Sequence, residues 1–178
     1  KAIAHLVDRD AIRDFVFFGD AVATPGPLPS TDRNYDPVVE KLVSYNPDGA
    51  AALMTDAGWS LNDDGIWEKD GTVMSFEFVA QAESINEAVA TAVSAMLREG
   101  GFDAQVNMAD RAVTFEKQSA QGRDAAPMTL FFWLWPIPID VLNLFVNSVT
   151  IPFPNMSRAN SPAIDAAMAA WQSAGTNE

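Results

Sequence analysis

Along this chain the apolar positions keep two rhythms, one near 3.6 residues and one of two, and the changes between them mark out the elements. Ile85, Ala88, Val89, Ala92, Val93, Met96 and Leu97 hold helical spacing for three turns. Ser84 with Glu87 three residues on reads as a capping box in front of them, and Gly100-Gly101 as the stop behind. Met74 to Val79 (MSFEFV) alternates and then runs apolar, which predicts a strand. Phe102 to Met108 predicts the next strand, Ala112 to Ala120 a helix carrying Val113 and Phe115, and Met128 to Leu134 a third strand. Strand, helix, strand, helix, strand implies two right-handed crossovers and a mainly parallel sheet covered by helices, a βαβαβ unit over residues 73–135.

The flanking segments follow the same logic. Ala2 to Val7 ends one helix, and Asp8 or Asp10 caps a second that carries Ala11, Ile12, Phe15 and Val16 and stops at Gly19. Residues 23–37 (ATPGPLPSTDRNYDP) hold four prolines and a glycine, which predicts an irregular, proline-rich loop. Asn46 as cap, Pro47 at the first helical position, Ala50, Leu53, Met54 and Ala57 on one face, and Gly58 as the left-handed stop spell a further helix, with Trp59 folded back on its last turn. Asp64-Gly65 and Asp70-Gly71 bracket a short ribbon bearing Trp67, which reads as a core cover. Ser161-Pro162 opens a last helix with Ile164, Ala167, Met168 and Trp171 on one face.

Composition narrows the class. A hydrophobic fraction of 48% with 20% charged residues predicts a folded domain. The net charge of −13, with only 11 Lys and Arg, argues against a nucleic-acid partner. Cysteine is absent, which removes disulfides and thiolate metal sites and fits a cytoplasmic or a periplasmic setting. The apolar run from Met128 to Ile139 contains two prolines and is too short for the roughly 20 residues a bilayer span needs, so no membrane insertion is expected. The opening at Lys1 inside an apparent helix and the unstructured close, SAGTNE, read as the ends of a fragment, a single partial domain over residues 1–178.

No catalytic constellation is present: no G-x-S-x-G elbow, no phosphate loop, no H-E-x-x-H, and one histidine, His5, without a ligand partner at suitable spacing. Binding without chemistry is the expected class, with no cofactor, no metal and no enzyme activity. Ligands on open α/β sheets sit beyond the carboxyl ends of the strands, here 80–84, 109–111 and 133–140, and the last of these is the aromatic one. Trp133 and Trp135 alternate with Leu134 and so share a face, either under a helix or toward a ligand. Pro136 and Pro138 stiffen the backbone that follows. Asp140 caps the next helix or faces a ligand cation, and Arg111 is a candidate at the neighbouring strand end.

The succession AIAHLVDRDAI, GPLP, YNPDGAAALMTDAGW, a D-G turn, SAMLREGGFDAQV, the Trp-rich strand and NMSRANSPAIDAAM resembles the family 5 extracytoplasmic solute-binding proteins of ABC importers, the oligopeptide, dipeptide and nickel type. The resemblance covers essentially the whole chain. It implies a periplasmic-binding-protein-like fold of type II, of which this chain is most of the C-terminal lobe, and a small-molecule or peptide ligand enclosed between two lobes. It further implies an ABC permease as partner, a monomer, and a periplasmic or extracytoplasmic location. That family often places, three residues after a Trp matched here by Trp135, an acid that pairs with a peptide's amino terminus. The position is Pro138 in this sequence, and Asp140 matches the acid that begins the next helix, which implies another solute, such as a sugar, an opine or a longer peptide gripped by its backbone. The alternative from another class is a domain of this fold reused as a sensor or protein-interaction module.

Overall fold

The computed structural model describes residues 1–26, 28–120, 125–131 and 138–174, the side chains of residues 138–141 excepted. Two short helices, α1 (Ala2–Leu6) and α2 (Arg9–Val16), meet at Asp8, whose carboxylate accepts from the Ala11 N–H at 2.9 Å and so caps α2. The turn that leaves α2 uses two left-handed residues, Phe18 and Gly19, so the helix stops at Val16, before the expected glycine. The proline-rich stretch carries no regular element among its described residues until α3 (Val38–Leu42), a helix the sequence pattern does not announce. Its far end is fastened to α1: Asn46 N donates to His5 O at 2.8 Å, and His5 Nδ1 lies 2.8 Å from the Ser44 carbonyl, an acceptor, so that nitrogen carries the proton. His5 is a structural tie, as its isolation in the sequence suggests.

Helix α4 (Pro47–Asp56) is capped by Asn46, whose side chain accepts from Gly49 N, and ends in a Schellman stop: Trp59 N donates to Met54 O and Gly58 N to Thr55 O. Gly58 has φ +82° and nothing crowds the place of its missing Cβ more closely than the Lys69 side chain at 3.5 Å. Replacing Gly58 by Ala therefore costs only the left-handed backbone term, about 1 kcal/mol, read as a fall in the urea midpoint at unchanged slope. Ala50 and Met54 are the buried positions of α4, while Leu53 and Ala57 face solvent. A three-stranded antiparallel ribbon follows, β1 (Ser60–Leu61), β2 (Trp67–Lys69) and β3 (Thr72–Val73). Asp70 and Gly71 both have positive φ, the type I′ geometry that a two-residue hairpin loop favours. Trp67 is buried and its indole N–H donates to Gly100 O at 2.7 Å, so it covers the core as expected.

The second sheet is parallel, with strands β4 (Ser75–Gln81), β5 (Asp103–Ala109) and β6 (Met128–Leu130) in the order β5-β4-β6. Helix α5 (Ser84–Glu99) joins β4 to β5, and α6 (Arg111–Ser119) carries the chain back across β4 to β6. Right-handed crossovers in opposite directions place the two helices on opposite faces. The side chains agree. Phe78 and Ala80 of β4 share a core with Ala90, Val93 and Leu97 of α5, with α1 and α4 closing over it. On the other face Lys117 of α6 reaches Glu77 of β4 at 3.1 Å.

Helix α5 differs from expectation in two ways. Glu83, in extended backbone, holds the N-cap position, no side chain caps the helix, and the Ser84/Glu87 box does not form. The buried line is Asn86, Ala90, Val93 and Leu97, whereas Ile85 and Ala88 face out. The reason is polar: Asn86 Nδ2 donates to Gln81 O at 3.1 Å and Ser94 Oγ to Ala104 O at 2.7 Å, pairing strand carbonyls that packing would otherwise leave dry. Helix α6 likewise buries Thr114 and Gln118 and leaves Val113 out. Beyond β6, α7 (Pro138–Val146), a 3-10 turn (Ser148–Thr150) and α8 (Pro162–Ser173) complete the described chain. The expected α8 stripe is partly realised: Met168 and Trp171 are half-buried, Ile164 and Ala167 exposed.

Carboxylates tie these layers with a definite pH sense. The Asn107 amide and then the Lys117 ammonium hold Glu77 below the usual carboxylate range, and Ser75, Gln105 and Arg98 do the same for Asp103. Both folded-state values lie below the unfolded ones, so the stabilisation is fully present above the ordinary carboxyl pKa and is lost as pH falls through the lowered values, below about pH 4. An acid-unfolding titration of the Glu77→Gln, Asp103→Asn double variant is expected to show a shallower acid limb than the parent.

Candidate ligand-binding site

The strand order fixes where a site can form. With β4 central and the two crossovers leaving in opposite senses, the connections diverge between β4 and β6, and crevices of this kind at strand carboxyl ends are where open α/β sheets hold ligands. The β4 side of that crevice is described in full. Gln81 ends the strand, 8% exposed, and its carboxamide N–H donates to Glu83 Oε1 at 2.7 Å. Glu83 N donates back to Gln81 O, Asn86 Nδ2 donates to the same carbonyl, and Ala82 N donates to Ala109 O at the end of β5. This corner is therefore held by backbone and buried amide bonds before any ligand arrives, the preorganisation that lowers the entropic penalty of binding.

On the β5 side Asp110 accepts from Val113 N at 2.9 Å and caps α6, and Arg111 is the first residue of that helix. Arg111 is exposed, with its guanidinium 5.4 Å from the centre of the Phe115 ring, which stands edge-on to Phe153 at 5.7 Å. Adjacent strands lie about 4.8 Å apart, so the ends of β5 and β6 are separated by about 10 Å with Gln81 to Glu83 between them. Arg111 and the end of β6 consequently flank β4 from opposite sides.

On the β6 side the strand covers Met128–Leu130, shorter than the expected run to Leu134, and Phe131 already lies outside it. Trp133 and Trp135 fall outside the described residues. Asp140 is the third residue of α7, which begins at Pro138, so it does not hold the N-cap position the sequence suggests, and its side chain is likewise outside what is described. Phe131 and Phe145, the described aromatics that bracket the stretch, are 6.1 Å apart and border a cavity of about 250 Å³ that runs beside β6 to Gln118 and Arg158. Sequence reasoning named the end of β4 as a strand end but passed over Gln81 and Glu83 for lack of aromatics. The signal available was a glutamine in the last strand position, where an apolar residue is the rule for a buried centre.

Two other concavities lie elsewhere. A cleft of about 340 Å³ opens between the α1–α2 junction and the proline-rich stretch, but Arg9 there, held below its ordinary pKa by burial, donates to the carbonyls of Ala4, Val7 and Val43 and so serves the fold. An apolar cleft of about 500 Å³ beside Trp59, Met74 and Met128 sits at the amino ends of β4 and β6, opposite the crevice. Among the described residues no group of three or more His, Cys, Asp or Glu side chains could hold a metal ion, and no helix is long and apolar enough to cross a membrane.

A parallel sheet covered on both faces, with its order reversing beside the central strand, defines an α/β ligand-binding lobe. Residues 1–152 match the model of the bacterial extracellular solute-binding proteins, family 5 Middle, and the chain belongs to that family. Solved structures with the same fold include NikZ from Campylobacter jejuni in complex with Ni(L-His), with a TM-score of 0.77 at 21% identity over 94% of this chain and 34% of that one. The oligopeptide-binding protein AppA from Bacillus subtilis, in complex with a nonapeptide, gives 0.73 at 23% identity over 95% of this chain and 34% of that one. The murein tripeptide binding protein MppA from Escherichia coli gives 0.66 at 19% identity over 99% and 33%. The chain thus spans about a third of the length of these structures. No curated protein matches the sequence.

Proposed function

We propose that this chain is the greater part of the C-terminal lobe of an extracytoplasmic solute-binding protein that delivers its ligand to the permease of an ABC importer. The feature that supports the reading best is the preorganised polar corner at the carboxyl end of the central strand β4, beside the end of β6. Family membership points the same way, as do neighbours in complex with Ni(L-His) and with a nonapeptide and one described as a murein tripeptide binding protein. The solute, a peptide or related small molecule, lies between this lobe and a second one, and the lobes close on it by hinge motion. Trp133 and Trp135 supply flat contact area, Asp140 and Arg111 fix polar groups of the ligand, and no chemical step is performed on it. The protein acts as a monomer outside the cytoplasmic membrane.

The test is isothermal titration of the full-length protein against peptides, oligosaccharides and nickel complexes. One class is expected to bind, and silence across all of them would refute the reading. Trp135→Ala is expected to weaken binding of the solute so identified by more than about 1 kcal/mol through lost aromatic contact, and an unchanged affinity would assign Trp135 to packing.

A further inference from the structure

The cavity of about 250 Å³ beside β6 has Gln118 of α6, Thr129 of the strand and Arg158 of the turn before α8 on its walls. Met128 and Leu130 pack into the α5 layer, so Thr129 between them points to the face that α6 covers. Gln118 is 3% exposed, and neither its Nε2 nor its Oε1 has a hydrogen-bond partner. Buried carboxamides are ordinarily paired, and each group left dry costs about 1–3 kcal/mol. The Thr129 hydroxyl is likewise without a partner among the described residues. Arg158 donates through Nη2 to Ala120 O, and its remaining N–H groups meet no acceptor and no carboxylate among the described residues. Its backbone is left-handed, with φ +53°, in a turn that the buried Asn155 clamps through bonds to Ser157 and Ala159. A non-glycine residue in that region persists only where its surroundings fix it, so the guanidinium is carried on a set backbone.

The chain has 24 acidic residues against 11 basic ones, yet no acid lines this cavity. Phe131 and Phe145 make the wall opposite the polar groups apolar. A planar guanidinium fork with free N–H groups matches a carboxylate, and one cation balances one negative charge. Gln118 adds a donor and an acceptor, and its acceptor calls for a hydroxyl. The volume lies below the range of about 300–1,000 Å³ that holds drug-sized ligands, so the fitting occupant is no larger than a single substituted ring. From this arrangement we infer that the cavity is a second binding site, for a small hydroxylated monocarboxylate with a flat apolar body, its carboxylate received by Arg158 and Thr129 and its hydroxyl by Gln118. Ala126 and Pro127, which precede β6, also border the cavity, so it extends toward the amino end of the strand, away from the crevice at the carboxyl ends. The inference stands on this cavity alone and does not depend on the solute-binding reading.

The probes are 3- and 4-hydroxybenzoate, with benzoate lacking the hydroxyl and the two hydroxybenzamides lacking the charge, each titrated calorimetrically into the full-length protein. One hydroxybenzoate is expected to bind at a single site, about tenfold or more tighter than its amide and several-fold tighter than benzoate. Arg158→Lys, which keeps the charge and loses the fork, is expected to erase most of the preference for the carboxylate. Gln118→Met is expected to erase the advantage of the hydroxyl and to leave the thermal midpoint of the free protein unchanged or raised, since it removes a buried carboxamide that has no partner to lose. That expectation separates loss of the site from loss of the fold. Absence of binding by both hydroxybenzoates, or binding that neither variant weakens, would overturn the assignment. So would a fall in the midpoint of Gln118→Met in the absence of probe, which would mean that the carboxamide is already paired. Displacement of the bound hydroxybenzoate by whichever solute the full-length protein is found to carry would move the probe to the crevice and overturn the second site, while leaving the solute-binding reading intact.

Discussion

Truncating Phe78 to Ala is expected to remove about 3–5 kcal/mol of stability, the range for an aromatic residue lost from a close-packed core. Phe78 is 1% exposed at the middle of β4, opposite Val106 on one neighbour and Met128 on the other. Its ring faces the layer formed by Ala90, Val93 and Leu97 of α5, and the small Ala90 lets that helix approach closely. Because β4 is paired on both sides and covered by a helix on each face, the backbone cannot collapse into the space left behind. The cost therefore falls toward the upper end of that range. Urea unfolding of the full-length protein followed by circular dichroism checks it, and a loss below about 1 kcal/mol would mean that Phe78 is not the keystone of this layer.

Asn155→Leu is the second large effect, of about 3 kcal/mol or more. Asn155 is fully buried in the turn between the 3-10 segment and α8. Its Nδ2 donates to Asn147 O at 3.0 Å and Ala159 O at 2.8 Å, and its Oδ1 accepts from Ala159 N and Ser157 Oγ, both at 3.0 Å. One carboxamide thus answers for three backbone groups on half-buried residues. A leucine of similar volume fills the space but strands them, at about 1–3 kcal/mol for each group left unpaired. The loss should appear as early amide hydrogen exchange across residues 147–160, ahead of the sheet. Asn155→Asp separates shape from donors, since it keeps the acceptor and loses both N–H bonds.

The comparison of residues with structure divides along a physical line. Strands and crossovers were legible because MSFEFV and FDAQVNM carry their periodicity locally, and the stops at Gly58 and Gly101 fall where left-handed backbone is needed. The face that α5 presents was not legible. Ile85 and Ala88 fit the apolar stripe, but Asn86 and Ser94 are drawn inward by strand carbonyls that only the assembled sheet presents. The strand order β5-β4-β6 is equally invisible in the pattern, since right-handed crossovers permit β6 on either side. For the site, the sequence directs attention to aromatics after β6, whereas the described polar corner belongs to Gln81, Glu83 and Asn86. Arg111 stands at a strand end as expected, but across β4 from the end of β6.

The position of β4 between its two partners also sets an order of events as the chain leaves the ribosome. Strand β5 follows β4 after a single helix, so that pair and its shared layer with α5 can assemble as soon as Ala109 has emerged. The other edge of β4, with Phe78, Val79 and Ala80 in register for Met128, Thr129 and Leu130, must wait until α6 and the segment after it have been made. During that interval the nascent chain displays an open, apolar strand edge, the kind of surface on which chains pair with one another. A ribosome-bound chain stalled just after α6 should therefore be more prone to aggregation, and a better substrate for chaperones, than one stalled after β6.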